Sequence, residues 1–321
     1  MQTLELVALD RVRAAGQRIS GVAVRTPLLA WDAQTWLKPE NLQPVGAFKI
    51  RGAHAKISSL TDAERAAGVI TYSSGNHAQA VARSARLLGV PAVIVMPDNA
   101  PAVKVAGVER EGAEIVRCGP GSDERRQVAE RLAAERGLVI IPPFDDAEII
   151  AGQGTVGLEI GEDLPAVTSV LVPIGGGGLI SGVAVAIKAL APRARVIGVE
   201  PDDAADAKES LAAGEIASWP PERTSRTIAD GLRVSAVGEL PFAHIRALVD
   251  EIVTVTDEEI RDAMVALATR ARLVAEPSGA AAMAAHLTGR VPRPEDDDAR
   301  VVVVSGGNVD PRLLADLLAK V

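Results

Sequence analysis

The chain has 321 residues and 48% of them are hydrophobic, which is enough for two packed domains with separate cores. Its 34 basic and 42 acidic residues give a net charge of −8, which argues against a nucleic acid or an anionic membrane surface as the main partner and favours a small molecule. The single cysteine, Cys118, has no partner for an internal disulfide, so a reducing cytoplasm is the expected compartment.

The N-terminal sequence MQTLELVALDRVRAAGQRISG carries acidic residues at amphipathic spacing and has no continuous apolar core. It therefore predicts a helix of the mature protein and not a signal peptide. The stretch 169–190 is apolar over enough residues to span a membrane, but it contains Pro173 and four consecutive glycines. A strand, a glycine loop and a helix account for it better, and no membrane segment is expected.

The segment VGAFKIRG, residues 45–52, places Lys49 among apolar residues between two glycines. An enclosed ammonium tends to lose its charge, and a neutral amine can attack a carbonyl carbon or take a proton. Lys49 is therefore a candidate Schiff-base lysine. A lysine whose ammonium reaches water is the commoner case, and these eight residues taken alone favour that simpler interpretation.

Two sets of β-branched runs alternate with helical patterns along the rest of the chain. The first set lies at 69–72, 92–96, 114–117 and 138–141, and the second at 170–174, 195–199, 251–255 and 301–304. Near-continuous apolar strands separated by helices indicate parallel sheets that are covered on both faces. The sequence therefore predicts two sheets, with a boundary near residues 144–154 and with the N-terminal segment joining the second sheet.

Two helix starts have the spacing of a capping box, in which side chains satisfy the free amides of the first turn. They are Thr61-x-x-Glu64 and Thr256-x-x-Glu259. These are structural signals and carry no function.

Three polar or glycine-rich motifs follow predicted strands: SSGNH at 73–77, GGGG at 175–178 and SGGN at 305–308. The four glycines precede a predicted helix near Leu179, so their backbone amides and the helix dipole can hold one anion such as a phosphate. Glu200 lies where the ribose-binding acid of a dinucleotide fold would be. However, G-x-G-x-x-G fails in every register, because its third position falls on Ile180 or Ser181, and a single phosphate is favoured.

In this order, the Lys49 segment, SSGNH, GGGG and SGGN resemble the fold-type II pyridoxal-phosphate enzymes, in particular the threonine/serine dehydratase and serine racemase family. AGQGT at 151–155, TIADG at 227–231 and EPSGA at 276–280 extend the resemblance over nearly the whole chain. The resemblance implies an α/β fold of two doubly wound parallel-sheet domains, like the β subunit of tryptophan synthase, with the cofactor in the cleft between them. Residues 1–60 and 150–321 would form the large, cofactor-binding domain, and residues 61–149 the small domain.

The resemblance also implies roles for individual residues. Lys49 would hold pyridoxal phosphate as a Schiff base and remove the α-proton of the substrate, with Ser74 on the opposite face of the cofactor. The substrate carboxylate would be bound by Ser73, Ser74, Gly75 and Asn76. The remaining cofactor contacts would come from Phe48 at the ring, Asn76 at the phenolic oxygen, Gly175, Gly176, Gly177, Gly178 and Leu179 at the phosphate, and Ser305 at the pyridine nitrogen.

A metal site is predicted in the loop EPDDAAD, residues 200–206, which offers several hard oxygen ligands of the kind that Mg²⁺ and Ca²⁺ prefer. The resemblance to serine racemases places the ligands at Glu200, the Ala204 carbonyl and Asp206. An acidic loop at the start of the next helix explains the same residues without a metal, because carboxylates are favourable near a helix N-terminus.

The expected activity is pyridoxal-phosphate-dependent β-elimination from L-threonine or L-serine, giving a 2-oxo acid and ammonia, by a cytoplasmic homodimer. One alternative is a serine racemase or a dehydratase of another hydroxy amino acid, of the hydroxyaspartate or hydroxyectoine-pathway kind. Pro142-Pro143-Phe144 stands where serine racemases carry His-Pro-Asn, which argues against racemisation. A non-catalytic nucleotide-binding sensor would use the glycine loop and Glu200, but it would have no need of Lys49.

Overall fold

The structure is a computed structural model. It describes residues 4–73, 75–98, 100, 102–119 and 122–320, without the side chains of 102–104 and 122–123. The strands within these residues are β1 (Leu29–Ala30), β2 (Thr35–Pro39), β3 (Val69–Tyr72), β4 (Ala92–Pro97), β5 (Glu114–Cys118), β6 (Val139–Ile140), β7 (Ser169–Pro173), β8 (Arg195–Pro201), β9 (Glu251–Val255) and β10 (Arg300–Val304).

The α-helices alternate with these strands. They are α1 (Leu9–Arg18), α2 (Lys49–Ser58), α3 (Asp62–Ala67), α4 (Asn76–Leu88), α5 (Ala102–Glu109), α6 (Ser122–Arg136), α7 (Ala147–Asp163), α8 (Gly178–Leu190), α9 (Asp206–Ala213), α10 (Pro221–Thr224), α11 (Glu239–Leu248), α12 (Asp257–Ala266), α13 (Pro277–Leu287) and α14 (Pro311–Leu318). Short 3₁₀ helices lie at Glu40–Leu42 and Asp230–Leu232, and a π-helical turn at Leu267–Ala271 follows α12. Within the part of the chain that is described, no helix is long and apolar enough to cross a membrane.

The strands form two sheets. The larger sheet has the order β1-β2-β10-β7-β8-β9, in which only β1 runs antiparallel to its neighbour. The smaller sheet has the order β5-β4-β3-β6 and is parallel throughout. Every residue of β7 and β10 is buried, as expected for central strands covered by helices on both faces. The α/β fold with two parallel sheets is therefore confirmed.

The eight strands predicted from the sequence are confirmed, as are both capping boxes. The two strands that the sequence analysis did not identify are β1, which has two residues, and β2, which contains Lys38 and Pro39. Lys38 does not look like a core residue, yet its side chain is fully buried and its ammonium lies 2.6 Å from the carboxylate of Glu159. A buried ion pair of this kind leaves no trace in a hydrophobicity pattern.

Helix α7 joins the cores of the two sheets. Ile149 packs in the core of the smaller sheet, whereas Val156 and Ile160 pack in the core of the larger one. The helix runs unbroken through residues 149 and 150, where the domain boundary was predicted, and the division into a large and a small domain stays a prediction.

Glycines allow α7 and α8 to pack unusually closely. A Cβ atom added to Gly182 would lie 2.3 Å from the Ile150 carbonyl oxygen and 2.4 Å from the Gly154 backbone nitrogen. A side chain at Gly157 would meet the backbone of Val183 in the same way. Gly154, Gly157 and Gly182 therefore set how closely α8 lies against α7, and α8 carries the glycine loop at its N-terminus.

Candidate active site

The carboxyl ends of β3, β7 and β10 open onto one cavity of about 220 Å³ between the two sheets. This is where parallel α/β sheets ordinarily bind ligands. The predicted site residues that line it are Phe48, Lys49, Ser73, Gly75, Asn76, Gly175, Gly176, Gly177, Gly178, Leu179 and Ser305. Ser74, predicted as a catalytic and substrate-binding residue, lies outside the described residues.

Lys49 is the first residue of α2 and its side chain reaches the cavity. Its ammonium donates a hydrogen bond of 2.7 Å to the Pro143 carbonyl oxygen and lies 5.1 Å from the centre of the Phe48 ring. Burial lowers the pKa of Lys49 to about 8. The cavity therefore contains an amine that is neutral at a lower pH than an ordinary lysine.

The glycine loop connects β7 to α8 and also lines the cavity. Gly177 has a φ of +88° and is the N-cap of α8, a conformation that side-chain-bearing residues seldom adopt. The amides of the first turn of α8 have no acceptor within the helix. Free amides at the positive end of a 13-residue helix make a binding site for an anion.

The surroundings of the loop leave no space for side chains. A Cβ atom on Gly176 would lie 2.1 Å from the Phe144 ring, and one on Gly177 would lie 2.8 Å from both Pro241 and Val237. The loop is thus held with its backbone towards the cavity.

Ser305 follows β10 directly and is 4% exposed. Its hydroxyl lies 3.5 Å from the Ser278 carbonyl oxygen, which is a long contact for a hydroxyl donor. Ser278 is in the first turn of α13, and its own hydroxyl accepts a 2.8 Å hydrogen bond from the Gly231 amide. The Ser305 hydroxyl can therefore turn towards a better acceptor in the cavity.

The smaller sheet contributes the segment between β3 and α4. Gly75 is the N-cap of α4, and its amide donates to the Ser73 hydroxyl at 3.3 Å. His77, next to Asn76, lies 3.0 Å from the Ile141 carbonyl oxygen through Nε2. Burial and then the positive charge of Lys49 lower the pKa of His77 to about 3, so that this imidazole is neutral at physiological pH.

The cavity is also lined by residues to which the sequence analysis gave no role in the site, among them Tyr72, Arg125, Arg233, Glu276 and Ser278. Glu276 and Ser278 lie in the EPSGA motif, so the motif itself was the signal for them. Arg233 follows TIADG closely, and its guanidinium is held by the Thr227 carbonyl oxygen at 2.8 Å and 2.5 Å. Arg125 lies in α6, where nothing in the local sequence distinguishes it from the other arginines of that helix.

The predicted metal ligands are not among the residues that line this cavity; Glu200 lies near the end of β8 and Asp206 begins α9. Glu200 and Asp206 are both fully buried, and Glu200 accepts hydrogen bonds from the amides of Ala207 (3.0 Å) and Lys208 (2.8 Å). Burial and then the charge of Asp206 raise the pKa of Glu200 well above its usual range. Burial raises the pKa of Asp206 to about 7, although the amides of Asp206 and Val237 oppose the shift.

Neither carboxylate oxygen of Asp206 has a well-formed hydrogen bond from the described residues. Two adjoining buried carboxylates, one of them short of donors, suit a cation. Within the described ranges, no group of three or more His, Cys, Asp or Glu side chains could hold a metal ion, so a site here would depend on these two carboxylates and the buried Ala204.

The sequence of this chain matches the family model described as pyridoxal-phosphate dependent enzyme over residues 19–307, which is most of its length. The chain belongs to this family. The expected family membership, the fold type and the dependence on pyridoxal phosphate are confirmed at the level of the family.

Three relatives illustrate the similarity. The chain is 44% identical over 311 residues to the catabolic L-threonine dehydratase of Escherichia coli (strain K12), covering 95% of this chain and 94% of that protein. It is 43% identical over 313 residues to the L-threo-3-hydroxyaspartate ammonia-lyase of Saccharomyces cerevisiae, with the same two coverages. The structure of maize serine racemase superposes with a TM-score of 0.91 at 40% identity, covering 98% of both chains.

The cavity fits the cofactor of the pyridoxal-phosphate dependent enzymes. Lys49 would supply an amine of lowered pKa for the aldehyde, and the glycine loop would supply free amides for the single phosphate. Ser305 would supply a hydroxyl from the residue that follows β10. No dinucleotide motif accompanies the glycine loop, and the alternative of a non-catalytic nucleotide sensor has no support in this geometry.

Proposed function

We propose that the protein is an ammonia-lyase that eliminates the β-hydroxyl of L-threonine or L-serine and releases a 2-oxo acid and ammonia. The observation that carries the proposal is that Lys49, of lowered pKa, shares one cavity with the phosphate-sized glycine loop. The similarity along nearly the whole chain to the dehydratase of Escherichia coli supports the choice of reaction. The substrate loses its α-proton and β-hydroxyl as water, and hydrolysis of the released enamine takes up one water and frees ammonia.

When bound, pyridoxal phosphate withdraws electrons from the α-carbon, which makes the α-proton acidic and lets the β-hydroxyl leave. The residues of the chain place the reactants. We assign to the Lys49 amine the removal of the α-proton, because a base of pKa near the working pH is efficient. The amides of Gly175 to Leu179 hold the phosphate, and those of Ser73 to Asn76 hold the substrate carboxylate. Phe48 would pack beside the pyridine ring of the cofactor, and the Ser305 hydroxyl would form a hydrogen bond with its ring nitrogen.

Ser74 is proposed to face the side of the cofactor opposite Lys49, from which elimination does not begin. Ser74→Ala should therefore keep much of its 2-oxo acid production and lose any racemase side activity, whereas Lys49→Ala should lose elimination altogether. If Ser74→Ala were as inactive as Lys49→Ala, the assignment of the two faces would be wrong.

A second candidate substrate is 3-hydroxyaspartate, and the specific observation in its favour is Arg125. This guanidinium lines the cavity from the side of the smaller sheet, where a second carboxylate on the substrate could meet it. The relative from Saccharomyces cerevisiae, named an L-threo-3-hydroxyaspartate ammonia-lyase, supports this alternative.

The test is a panel of hydroxy amino acids scored both by 2-oxo acid release and by the chirality of the remaining substrate. L-threonine and L-serine should be the best substrates, with no change in the chirality of what remains. A preference for 3-hydroxyaspartate that Arg125→Leu abolishes would favour the second candidate. Accumulation of the D-enantiomer without 2-oxo acid would contradict both and indicate a racemase.

We also propose that Glu200, the Ala204 carbonyl and Asp206 bind Mg²⁺ or Ca²⁺, which would stiffen the larger sheet away from the reacting atoms. Binding to the folded state alone raises the melting temperature with ion concentration. Asp206→Asn should abolish this increase, and Asp202→Asn, at an exposed position of the same loop, should retain it. A wild-type melting temperature that is indifferent to chelator and to both ions would mean that the acidic loop binds no metal.

The assembly and location of the enzyme are proposed from the sequence. A reducing cytoplasm agrees with the single cysteine, which is buried, and a homodimer is the assembly that we propose. Sedimentation analysis of the loaded enzyme decides the assembly, and a monomer would contradict the proposal.

A further inference from the structure

A chain of hydrogen bonds crosses the cavity through the carboxamide of Asn76. Asn76 begins α4 on the side of the smaller sheet, and its Nδ2 donates to the Glu276 carboxylate at 2.5 Å. Its Oδ1 accepts a 2.8 Å hydrogen bond from Nδ2 of Asn308, which also donates to the Val45 carbonyl oxygen at 2.8 Å. Glu276 is the N-cap of α13, and Asn308 follows β10, so both lie on the side of the larger sheet.

The two ends of this chain fix the orientation of both carboxamides. A carboxylate and a backbone carbonyl can only accept hydrogen bonds. Glu276 must therefore face the NH₂ group of Asn76, and Val45 must face that of Asn308. The exchange of oxygen and nitrogen that makes most asparagines ambiguous is excluded here, because it would set acceptor against acceptor at each end.

Counting hydrogens shows what remains for a ligand. Nδ2 of Asn308 has two hydrogens and both have acceptors, whereas Nδ2 of Asn76 has two and only one goes to Glu276. Asn76 lines the cavity. Its second N–H is thus the donor that it can offer to an oxygen there.

Glycines keep the space that this arrangement requires. A Cβ atom on Gly306 would lie 2.1 Å from the Glu276 carboxylate and 3.2 Å from Nδ2 of Asn76. One on Gly46, where φ is +72°, would lie 2.4 Å from Oδ1 of Asn308. Glycines of two separate motifs, those of Lys49 and of SGGN, are therefore needed to let these polar side chains reach Asn76.

We propose that Glu276 and Asn308 are positioning residues that hold the Asn76 carboxamide with an N–H directed at the phenolic oxygen of the cofactor. They also join α4 to the larger sheet across the cavity, so that the donor is set before any ligand arrives. The inference rests on the proposed function only in taking pyridoxal phosphate to be the ligand of Asn76. A fixed donor favours the ionised phenolic oxygen over the protonated one, because a hydrogen bond to the charged form stabilises it.

The experiment compares Glu276→Ala, Glu276→Gln and Asn308→Ala with Asn41→Ala as the matched control. Asn41 also donates its Nδ2 to a backbone carbonyl, that of Val274 at 3.0 Å, but it is not part of the chain of bonds described here. The readouts are the absorption spectrum of bound pyridoxal phosphate as a function of pH, the melting temperature of the cofactor-free protein, and kcat and KM for the best substrate.

Glu276→Ala and Asn308→Ala should shift the spectrum towards the short-wavelength, protonated form, and should lower kcat by about 10- to 100-fold with a smaller change in KM. Glu276→Gln has a side-chain oxygen that can still accept a hydrogen bond from Asn76. This variant should therefore keep most of the wild-type spectrum and of the wild-type kcat. Asn41→Ala should match the wild type in spectrum and kinetics. Variants that lose only melting temperature, with the wild-type spectrum and kcat, would overturn the proposal.

Failure of the proposed function gives a different result. A wild-type enzyme that shows the cofactor spectrum and releases no 2-oxo acid from any hydroxy amino acid would refute the ammonia-lyase activity. The spectral comparison of Glu276→Ala, Asn308→Ala and Asn41→Ala would still decide whether Asn76 is positioned as described.

Discussion

Lys49 is the residue on which the proposed chemistry depends, and its environment differs from that of a surface lysine. The side chain lines the cavity, and its ammonium donates a hydrogen bond to the Pro143 carbonyl oxygen. Burial without a carboxylate partner lowers the pKa of Lys49 to about 8 from the 10.5 of an ordinary lysine. The sequence indicated the enclosed setting through its flanking glycines, but it could not indicate the partner, because Pro143 lies 94 residues away.

The lowered pKa predicts how cofactor-free enzyme captures pyridoxal phosphate. Only the neutral amine attacks the aldehyde, so the capture rate should rise with pH and level off above about pH 8. The measurement is stopped-flow absorbance of the cofactor mixed with cofactor-free protein across a pH series. A rate that continues to rise towards the 10.5 of an unperturbed lysine would show that Lys49 is not enclosed.

At the scale of single residues, the sequence predicted the site where residues lie in motifs and failed where they do not. Asn76 and Ser305 line the cavity as expected because each lies beyond the carboxyl end of a parallel strand. Asn76 follows β3 of the smaller sheet, and Ser305 follows β10 of the larger sheet. Arg125 comes from the first turns of α6, and only the packing of α6 on the smaller sheet brings it to the cavity. That packing is a tertiary property, which no local spacing reveals.

The glycine loop is the element that should bind the phosphate, and Gly177 tests it. Gly177→Ala would force a Cβ into 2.8 Å contacts with Pro241 and Val237 and strain a φ of +88°. We expect a loss of stability of about 1–3 kcal/mol and a clear loss of affinity for pyridoxal phosphate, measured by urea unfolding and by cofactor titration.

The matched control is Gly137→Ala, where φ is +71° and an added Cβ would meet nothing within 4 Å. This substitution introduces the backbone strain without the steric contact. Gly137 lies in the connection between α6 and β6 and does not line the cavity. Its cofactor affinity should equal that of the wild type. Equal affinity losses in both variants would mean that the loop acts only through general stability.

Helix α2 is held in place by a buried ion network. Arg51, fully buried, donates to Glu40 at 2.7 and 2.8 Å and to Glu159 at 2.6 and 2.9 Å. It also reaches the Thr155 hydroxyl and the Val24 carbonyl oxygen, both at 3.0 Å. Because Arg51 lies two residues after Lys49, the network fixes the start of the helix that bears the reactive amine.

Arg51→Met should therefore destabilise the fold by about 3–5 kcal/mol, since it leaves the buried carboxylates of Glu40 and Glu159 with Lys38 as their one remaining cation among the described residues. Arg25→Met is the control, because Arg25 also joins two carboxylates, Glu162 and Asp163, but with its side chain 51% exposed. It should cost about 1 kcal/mol or less. Urea unfolding measures both, and equal losses would contradict the assigned role of the buried network.

At the scale of the whole molecule, the sequence predicted most of the architecture because a buried parallel strand has an unambiguous apolar signature. The eight strands of that kind were found, whereas their order in the two sheets is known only from the structure. The sequence did not predict β2, because that strand buries the charge of Lys38, or β1, because its two residues are defined only by their pairing with β2.

The cavity lies between the two sheets, so its ligand should stabilise the molecule as a whole. Loading the cofactor-free protein with pyridoxal phosphate should raise its melting temperature, and the increase should grow with cofactor concentration. Scanning calorimetry of the two forms measures it, with Lys49→Ala expected to show a smaller increase. An unchanged melting temperature at saturating cofactor would mean that the folded protein does not bind pyridoxal phosphate in preference to the unfolded chain.

The most direct test of the central claim is to reduce the loaded enzyme with borohydride and map the modified peptide. The account predicts one pyridoxyl adduct, on Lys49, with loss of 2-oxo acid production in proportion to the modification, and no adduct in Lys49→Ala. An adduct on Lys56 or Lys104 in place of Lys49, or a fully active enzyme that carries the adduct on Lys49, would contradict it.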